Sequence, residues 1–105
     1  MITFIARMRV KPENASDYEA LMSHVTEMTR AHEPGVAYYA WSKGVDEADT
    51  YLVVEVYEDV AAQAAHMQTS WVKESLPKSA ALIEGKPEIR QYVTPGAEPV
   101  RQRMF

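Results

Sequence analysis

The sequence contains no cysteine. Disulfides, thiolate metal sites and a cysteine nucleophile are therefore excluded. Positive charge is also scarce: 11 Lys and Arg stand against 15 Asp and Glu, a net charge of −4. Nucleic acid and anionic membrane both select a basic face, so neither is expected as a partner. No run approaches the ~18–20 apolar residues of a membrane span. No basic segment followed by an apolar stretch opens the chain, and a cytoplasmic protein is expected. There is no Gly-rich phosphate loop and no Ser-His-Asp arrangement in motif context, so no nucleotide cofactor is expected. His24 and His32 lack HxH or HxxxH spacing, even with Glu27 and Glu33 nearby, and no metal is expected.

At 105 residues the chain is sized for one domain with a small core. In Ile2 to Val10, Ile2, Phe4, Ala6, Met8 and Val10 alternate with Thr3, Ile5, Arg7 and Arg9. That period of two predicts a strand with one apolar face. Pro12 ends it, and Ser16 with Glu19 has capping-box spacing, with Asn14 a competing cap. Tyr18, Leu21, Met22, Val25, Met28 and Thr29 then mark one face of an amphipathic helix, which Glu33-Pro34-Gly35 stops.

Val36 to Lys43 reads as an aromatic strand, joined through the turn-like Gly44 to Asp49 to a third strand beginning at Tyr51. That strand is apolar apart from Glu55, and Asp59 caps the alanine-rich helix that follows and carries His66. Trp71 comes five residues later. Val72, Leu76, Ala80 and Ile83 recur at helical spacing, with Pro77 a potential divide and Gly85 a helix stop; Pro87 to Val93 is a last strand. The order predicts an α+β, ferredoxin-like βαββαβ domain over residues 1–94, with a four-stranded antiparallel sheet. Residues 95–105 form a tail.

The second and third strands are apolar on both faces: Val36, Tyr38 and Ala40 against Ala37, Tyr39 and Trp41, then Leu52, Val54 and Val56 against Tyr51, Val53 and Tyr57. Helices on one side leave the other apolar set in water, which predicts a homodimer through the sheet face. The tail ends in Met104 and Phe105, and its docking on the partner subunit is expected.

Glu33-Pro34-Gly35 before an aromatic strand, Glu55-Val-Tyr57-Glu-Asp59, Ala65-His66 with Ser70-Trp71, and Gly85-Lys-Pro87-Glu-Ile89 together resemble the antibiotic biosynthesis monooxygenase family of dimeric α/β barrels. The resemblance runs from Ile2 to about Val93. It implies a pocket between sheet and helices near His66, and activities ranging over cofactor-independent oxygenation of quinols or aromatic polyketides, haem degradation and isomerase-like chemistry. The haem-degrading branch typically uses an asparagine on the first strand and a histidine in the later helix. Neither is present here, so that branch is disfavoured.

His66 is the candidate catalytic base, since imidazole titrates near neutrality and can take a phenolic or α-keto proton. The resemblance adds the next step, electron donation from the deprotonated aromatic to dioxygen, with no cofactor. The alternative is a histidine that only fixes a helix end. Glu55 is the second catalytic candidate, expected to orient His66 or to pair with Arg7 or Arg9 across the sheet. Trp71, Tyr38, Trp41 and Tyr57, with Tyr39, are candidates to wall a flat aromatic pocket. The expected ligands are a small aromatic substrate and dioxygen. A cofactor-free isomerase or lyase on the same scaffold, and a non-catalytic ligand-binding dimer, stay open as alternatives.

Overall fold

The computed structural model describes residues 1–101. Its elements are β1 (Ile2–Val10), a 3-10 turn at Pro12–Asn14, α1 (Ala15–His32), β2 (Val36–Lys43), β3 (Thr50–Tyr57), α2 (Val60–Gln68), α3 (Ser70–Leu82) and β4 (Ile83–Val93). The four strands form one antiparallel sheet in the order β2-β3-β1-β4. This is the α+β ferredoxin-like architecture that the alternation of strand and helix patterns predicts.

The apolar alternation of β1 decides which face is covered. Ile2, Phe4, Ala6, Met8 and Val10 are all buried beneath the helices, while Thr3, Ile5, Arg7 and Arg9 face the other way. Tyr18, Met22 and Val25 of α1 and Val72 of α3 close over Ala6, Met8, Tyr51, Val53 and Tyr39. The registers Phe4↔Glu55 and Tyr39↔Glu55 put Glu55 and Tyr39 on this covered face. The open face carries Ile5, Leu52, Val54, Val56 and the exposed Tyr38 and Tyr92. Arg7 bonds Glu47 and lies 3.6 Å from Glu88, and Arg9 lies 3.7 Å from Glu84, so neither arginine pairs with Glu55 across the sheet.

Three local expectations are corrected. The capping box at Ser16 and Glu19 does not form: Asn14 is the N-cap of α1 without a side-chain cap bond. Its Nδ2 instead donates to the Leu82 carbonyl at the end of α3 (3.2 Å), and Glu19 receives the Tyr51 hydroxyl. Pro77 does not divide the later helical region but lies inside α3, which follows the shorter α2 after a break at Thr69. The Thr69 hydroxyl donates to His66 O (2.8 Å) and accepts from Val72 N (3.3 Å), closing one helix while opening the next. Finally, α3 stops at Leu82, and Gly85 lies within β4 at φ +67°.

Gly85 sits in an irregularity of the β1–β4 ladder, where the two steps from Arg7 to Arg9 face four from Glu88 to Glu84. The extra length pushes Gly85, Lys86 and Pro87 out as a bulge, and positive φ suits glycine there. The start of the tail packs back on its own chain: Thr94 N donates to Met1 O, and Gln91 exchanges two hydrogen bonds with Val100 (2.9 and 2.7 Å). Met104 and Phe105, and with them the expected docking on a partner, lie outside the described residues.

Candidate active site

Three turns bring the polar residues of the covered face together. Asp59 ends the strand-to-helix turn and accepts Ala62 N through its side chain (2.8 Å), so α2 starts directly after β3. α2 then runs back over the sheet and places His66 above Tyr39 and Tyr57, at ring-centroid distances of 5.3 and 5.5 Å. Thr69 breaks the chain and sets Trp71 in the first turn of α3. On the opposite side, Pro34 keeps Glu33 out of helical geometry, and Glu33 caps α1 at φ −118°, ψ 87°. The turn is fixed at both ends, by Glu33 N to Thr29 O (3.0 Å) and Val36 N to Glu33 O (3.1 Å). Gly35 permits close approach to α2, since a Cβ there would meet Ala62 Cβ at 2.7 Å.

The carboxylate of Glu33 thereby enters the interior. Its side chain is only 9% exposed, against 3% for His66. Oε1 lies 2.8 Å from His66 Nδ1, and Oε2 accepts the Trp71 indole N–H, also at 2.8 Å. A carboxylate on Nδ1 fixes the tautomer with its proton there, leaving the Nε2 lone pair free. Nε2 faces Glu55 Oε1 at 3.7 Å. Glu55 in turn accepts the Tyr57 hydroxyl. Burial lifts the Glu55 carboxyl above its ordinary range; the Tyr57 hydrogen bond and His66 oppose the shift, and Glu33 adds to it. Burial also raises the Tyr39 and Tyr57 phenols, with Glu55 adding to both, so both remain hydrogen-bond donors rather than phenolates.

Beside His66 and Glu55 lies an inner cavity of about 70 Å3, walled by Tyr18, Tyr39, Met22, Val53, Ser75 and neighbouring apolar side chains. Met8, Leu76 and Ser79 also line a larger groove of about 680 Å3 between α3 and β4. Its walls include Phe4, Ala80, Ile83 and Ile89, and the bulge residues Gly85, Lys86 and Pro87. The groove opens to solvent, where Lys86 and Arg101 are exposed, and adjoins the inner cavity at Met8, Leu76 and Ser79. Among the described residues no group of three or more His, Asp or Glu is arranged to hold a metal ion.

Of the residues singled out from sequence, the fold brings together His66, Glu55, Tyr57 and Trp71. Tyr57 and Trp71 act through their polar atoms, on Glu55 and Glu33, rather than as cavity walls. Tyr38 points to the open face and is 53% exposed. Trp41 is on the covered side, but it packs near Tyr51 (6.1 Å between centroids) and edges a shallow depression beside α1. Sequence reasoning overlooked two participants, Glu33 and Tyr18. The Glu-Pro-Gly turn was the available signal for the first, and nothing in the helical stripe separated the second from ordinary core.

A four-stranded antiparallel sheet, helices on one face and a hydrogen-bonded His–Glu–Trp constellation between them define a ferredoxin-like protein with a candidate site beside His66. A family model described as antibiotic biosynthesis monooxygenase matches residues 1–78, and the chain belongs to that family. An uncharacterized protein of Synechocystis is 31% identical over 91 residues, covering 87% of this chain. The chain spans only 61% of that relative's length. The Bacillus subtilis protein YcnE, named as a candidate monooxygenase, is 28% identical across 79% of this chain and 86% of its own. A Caulobacter crescentus structure described as a candidate antibiotic biosynthesis monooxygenase superposes with a TM-score of 0.83 at 25% identity, covering 87% of this chain and 86% of that one. Rv0793 of Mycobacterium tuberculosis shares the fold, at 0.81 and 19% identity over 89% of this chain and 93% of that one. Family and relatives together support a function of the monooxygenase type. Among the described residues no helix is long and apolar enough to cross a membrane.

Proposed function

We propose that the protein is a cofactor-independent monooxygenase acting on a quinol or polycyclic phenolic compound. The observation that carries this reading is His66 at the wall of the inner cavity, with Nδ1 tied to Glu33 behind it at 2.8 Å and Nε2 free on the Glu55 side. A substrate entering through the groove lays its aromatic body along Phe4, Leu76 and Ile89 and its reacting end beside His66. Nε2 takes the acidic proton, and the imidazolium that forms lies between two carboxyl groups, Glu33 and Glu55. Glu55, its pKa lifted by burial, is suited to receive that proton next.

The electron-rich anion left behind reduces dioxygen itself. For an anthrone, the ring CH2 becomes C=O with one oxygen atom of O2, and the other leaves as water. No step asks the protein for a redox centre.

In this reading the enzyme works as a homodimer joined through the open sheet face, which would cover Ile5, Leu52, Val54, Val56, Tyr38 and Tyr92. Sedimentation equilibrium tests it: a monomer at micromolar concentration removes the dimer from the account. The activity is tested by oxygen uptake with a panel of quinols and anthrones, corrected for spontaneous oxidation. Uptake above background that disappears in His66→Ala supports the oxygenase. Turnover of such a compound that proceeds equally without oxygen replaces it with the isomerase.

A further inference from the structure

We propose that Tyr18 is a substrate-binding residue, whose hydroxyl donates a hydrogen bond to the same substrate oxygen from which His66 takes a proton. The proposal deepens the preceding reading by naming the chemical group the inner cavity recognises. Three buried hydroxyls have no partner among the described residues, those of Tyr18, Thr26 and Thr29; only Tyr18 lines the cavity. Tyr18 is 0% exposed, so no bulk water satisfies it. A buried tyrosine ordinarily finds a partner for its O–H, because leaving one unmade costs free energy. Its neighbour Tyr51, whose ring is tilted 55° against it at 5.0 Å between centroids, has one: the Tyr51 hydroxyl reaches Glu19. Tyr57 has one in Glu55. Among these three core tyrosines the fold leaves unmatched the one that faces the cavity. A phenylalanine would fill the same space without the penalty, so the hydroxyl has a purpose outside the packing.

The cavity's other groups specify what the hydroxyl meets. His66 Nε2 is an acceptor, because Glu33 holds the proton on Nδ1. Tyr18 is a donor, and burial keeps its phenol protonated far above neutrality. A substrate oxygen that carries hydrogen satisfies both at once, giving its proton to Nε2 and accepting from Tyr18. A phenol, quinol or enol fits this pair of requirements. An ether oxygen has no proton to give Nε2, and its methyl group has no place against the imidazole in a space of about 70 Å3, so an ether stays in the groove and does not reach the Tyr18 hydroxyl. That volume takes the hydroxyl and the ring edge bearing it, while the remaining rings lie in the groove outside. When the O–H bond breaks, its electron pair stays on oxygen and the proton passes to Nε2. The Tyr18 hydrogen bond then points at an anion, and it strengthens as the charge develops.

The test is anaerobic calorimetric titration of the full-length protein with 1-naphthol and its methyl ether, comparing wild type with Tyr18→Phe, alongside thermal melting of both. Wild type is expected to prefer naphthol over the ether. Tyr18→Phe is expected to lose about tenfold in naphthol affinity, keep its affinity for the ether, and melt no lower than wild type. Unchanged naphthol binding in the variant overturns the proposal, as does equal loss of both probes. A variant that melts lower or fails to fold also overturns it, by showing that the hydroxyl serves the fold. Wild type that binds no naphthol refutes the recognition of O–H groups. Neither titration involves oxygen, so a protein that discriminates O–H but consumes no O2 would sink the oxygenase and leave Tyr18 in place.

Discussion

The inner cavity and the outer groove are adjoining spaces built on different terms. Around the cavity, polar side chains hold one another: Trp71 to Glu33, Glu33 to His66, Tyr57 to Glu55. These groups are buried, and each hydrogen bond removes a freedom that a reacting base must not have. The groove has mostly apolar walls from α3 and β4, a bulge for one rim, and a tail segment held by Gln91. In the proposed reading its contacts would select by shape, each individually replaceable. The family match over residues 1–78 contains every member of the hydrogen-bonded set and stops before the bulge and the tail. Under the proposed function, chemistry and selectivity are thus separable: the first is wired, the second is packed.

That separation is broken most severely at its centre. His66→Ala removes the base and leaves Glu33 and Glu55 without their common partner. Turnover of any phenolic substrate is expected to fall at least about 100-fold. Stability is expected to fall by roughly 2–4 kcal/mol, read from urea unfolding, because two buried carboxyl groups lose the imidazole and keep only Trp71 and Tyr57. A variant that turns over at wild-type rate would end the account of the inner cavity. Glu33→Gln is next. The amide still accepts one bond but no longer holds the imidazole tautomer with charge, and kcat is expected to drop roughly 10- to 100-fold with KM nearly constant. A change confined to KM would move Glu33 from the chemistry to the groove.

The fold was readable in the residues because its signals are local. The alternation of β1, the Asp59 cap and the stop at Glu33-Pro34-Gly35 depend on neighbours in sequence, and the strand order follows from their succession. His66 and Glu55 stood out for the same reason, as polar residues in apolar company. Glu33 did not, because a residue that ends a helix looks like a turn residue whatever its side chain does. Its role exists only once the end of α1 meets α2 and α3, contacts spanning 33 and 38 positions. Tyr18 was hidden by the stripe to which it belongs: packing and hydrogen bonding use different parts of one side chain, and periodicity reports the ring. The choice between Tyr38 and Tyr39 was open for a third reason. β2 is apolar on both faces, so alternation carries no parity, and the register Tyr39↔Glu55 decides it. Gly85 has the opposite history: a residue type typical of helix ends, used for a strand bulge that only the β1 pairing makes necessary.

The groove gives the complementary test, with a smaller effect. Ala80 is exposed on α3 and lines the groove well away from the imidazole, and Ala80→Trp fills part of the space with an indole. KM for a polycyclic substrate is expected to rise about tenfold, while kcat stays within about twofold, the pattern of lost uniform binding. Stability should move little, since the site is exposed. Equal loss in kcat would mean that the groove positions the reacting atoms, and the division between wiring and packing would fail.

The gentlest probe is Glu55, because it asks what the wiring costs the fold. Burial raises its carboxyl pKa in the folded state, so the folded protein holds this proton to a higher pH than the unfolded chain, whose glutamates titrate near about 4.3. Below that value both states are protonated and Glu55 contributes no pH dependence. As pH rises through the interval up to the folded value, the unfolded state releases the proton first and stability declines. Above the interval the full cost persists. Glu55→Gln can still accept the Tyr57 hydroxyl and cannot ionise. The variant is therefore expected to melt higher than wild type at pH 7.5, with the advantage shrinking toward pH 4, as followed by circular dichroism. A wild type that is the more stable at neutral pH would reverse the argument: attraction to His66 would then outweigh burial, and Glu55 would be a fixed anion instead of a proton acceptor. The sign of one melting difference thus separates a carboxyl group that exchanges protons with His66 from one that only stabilises the imidazolium.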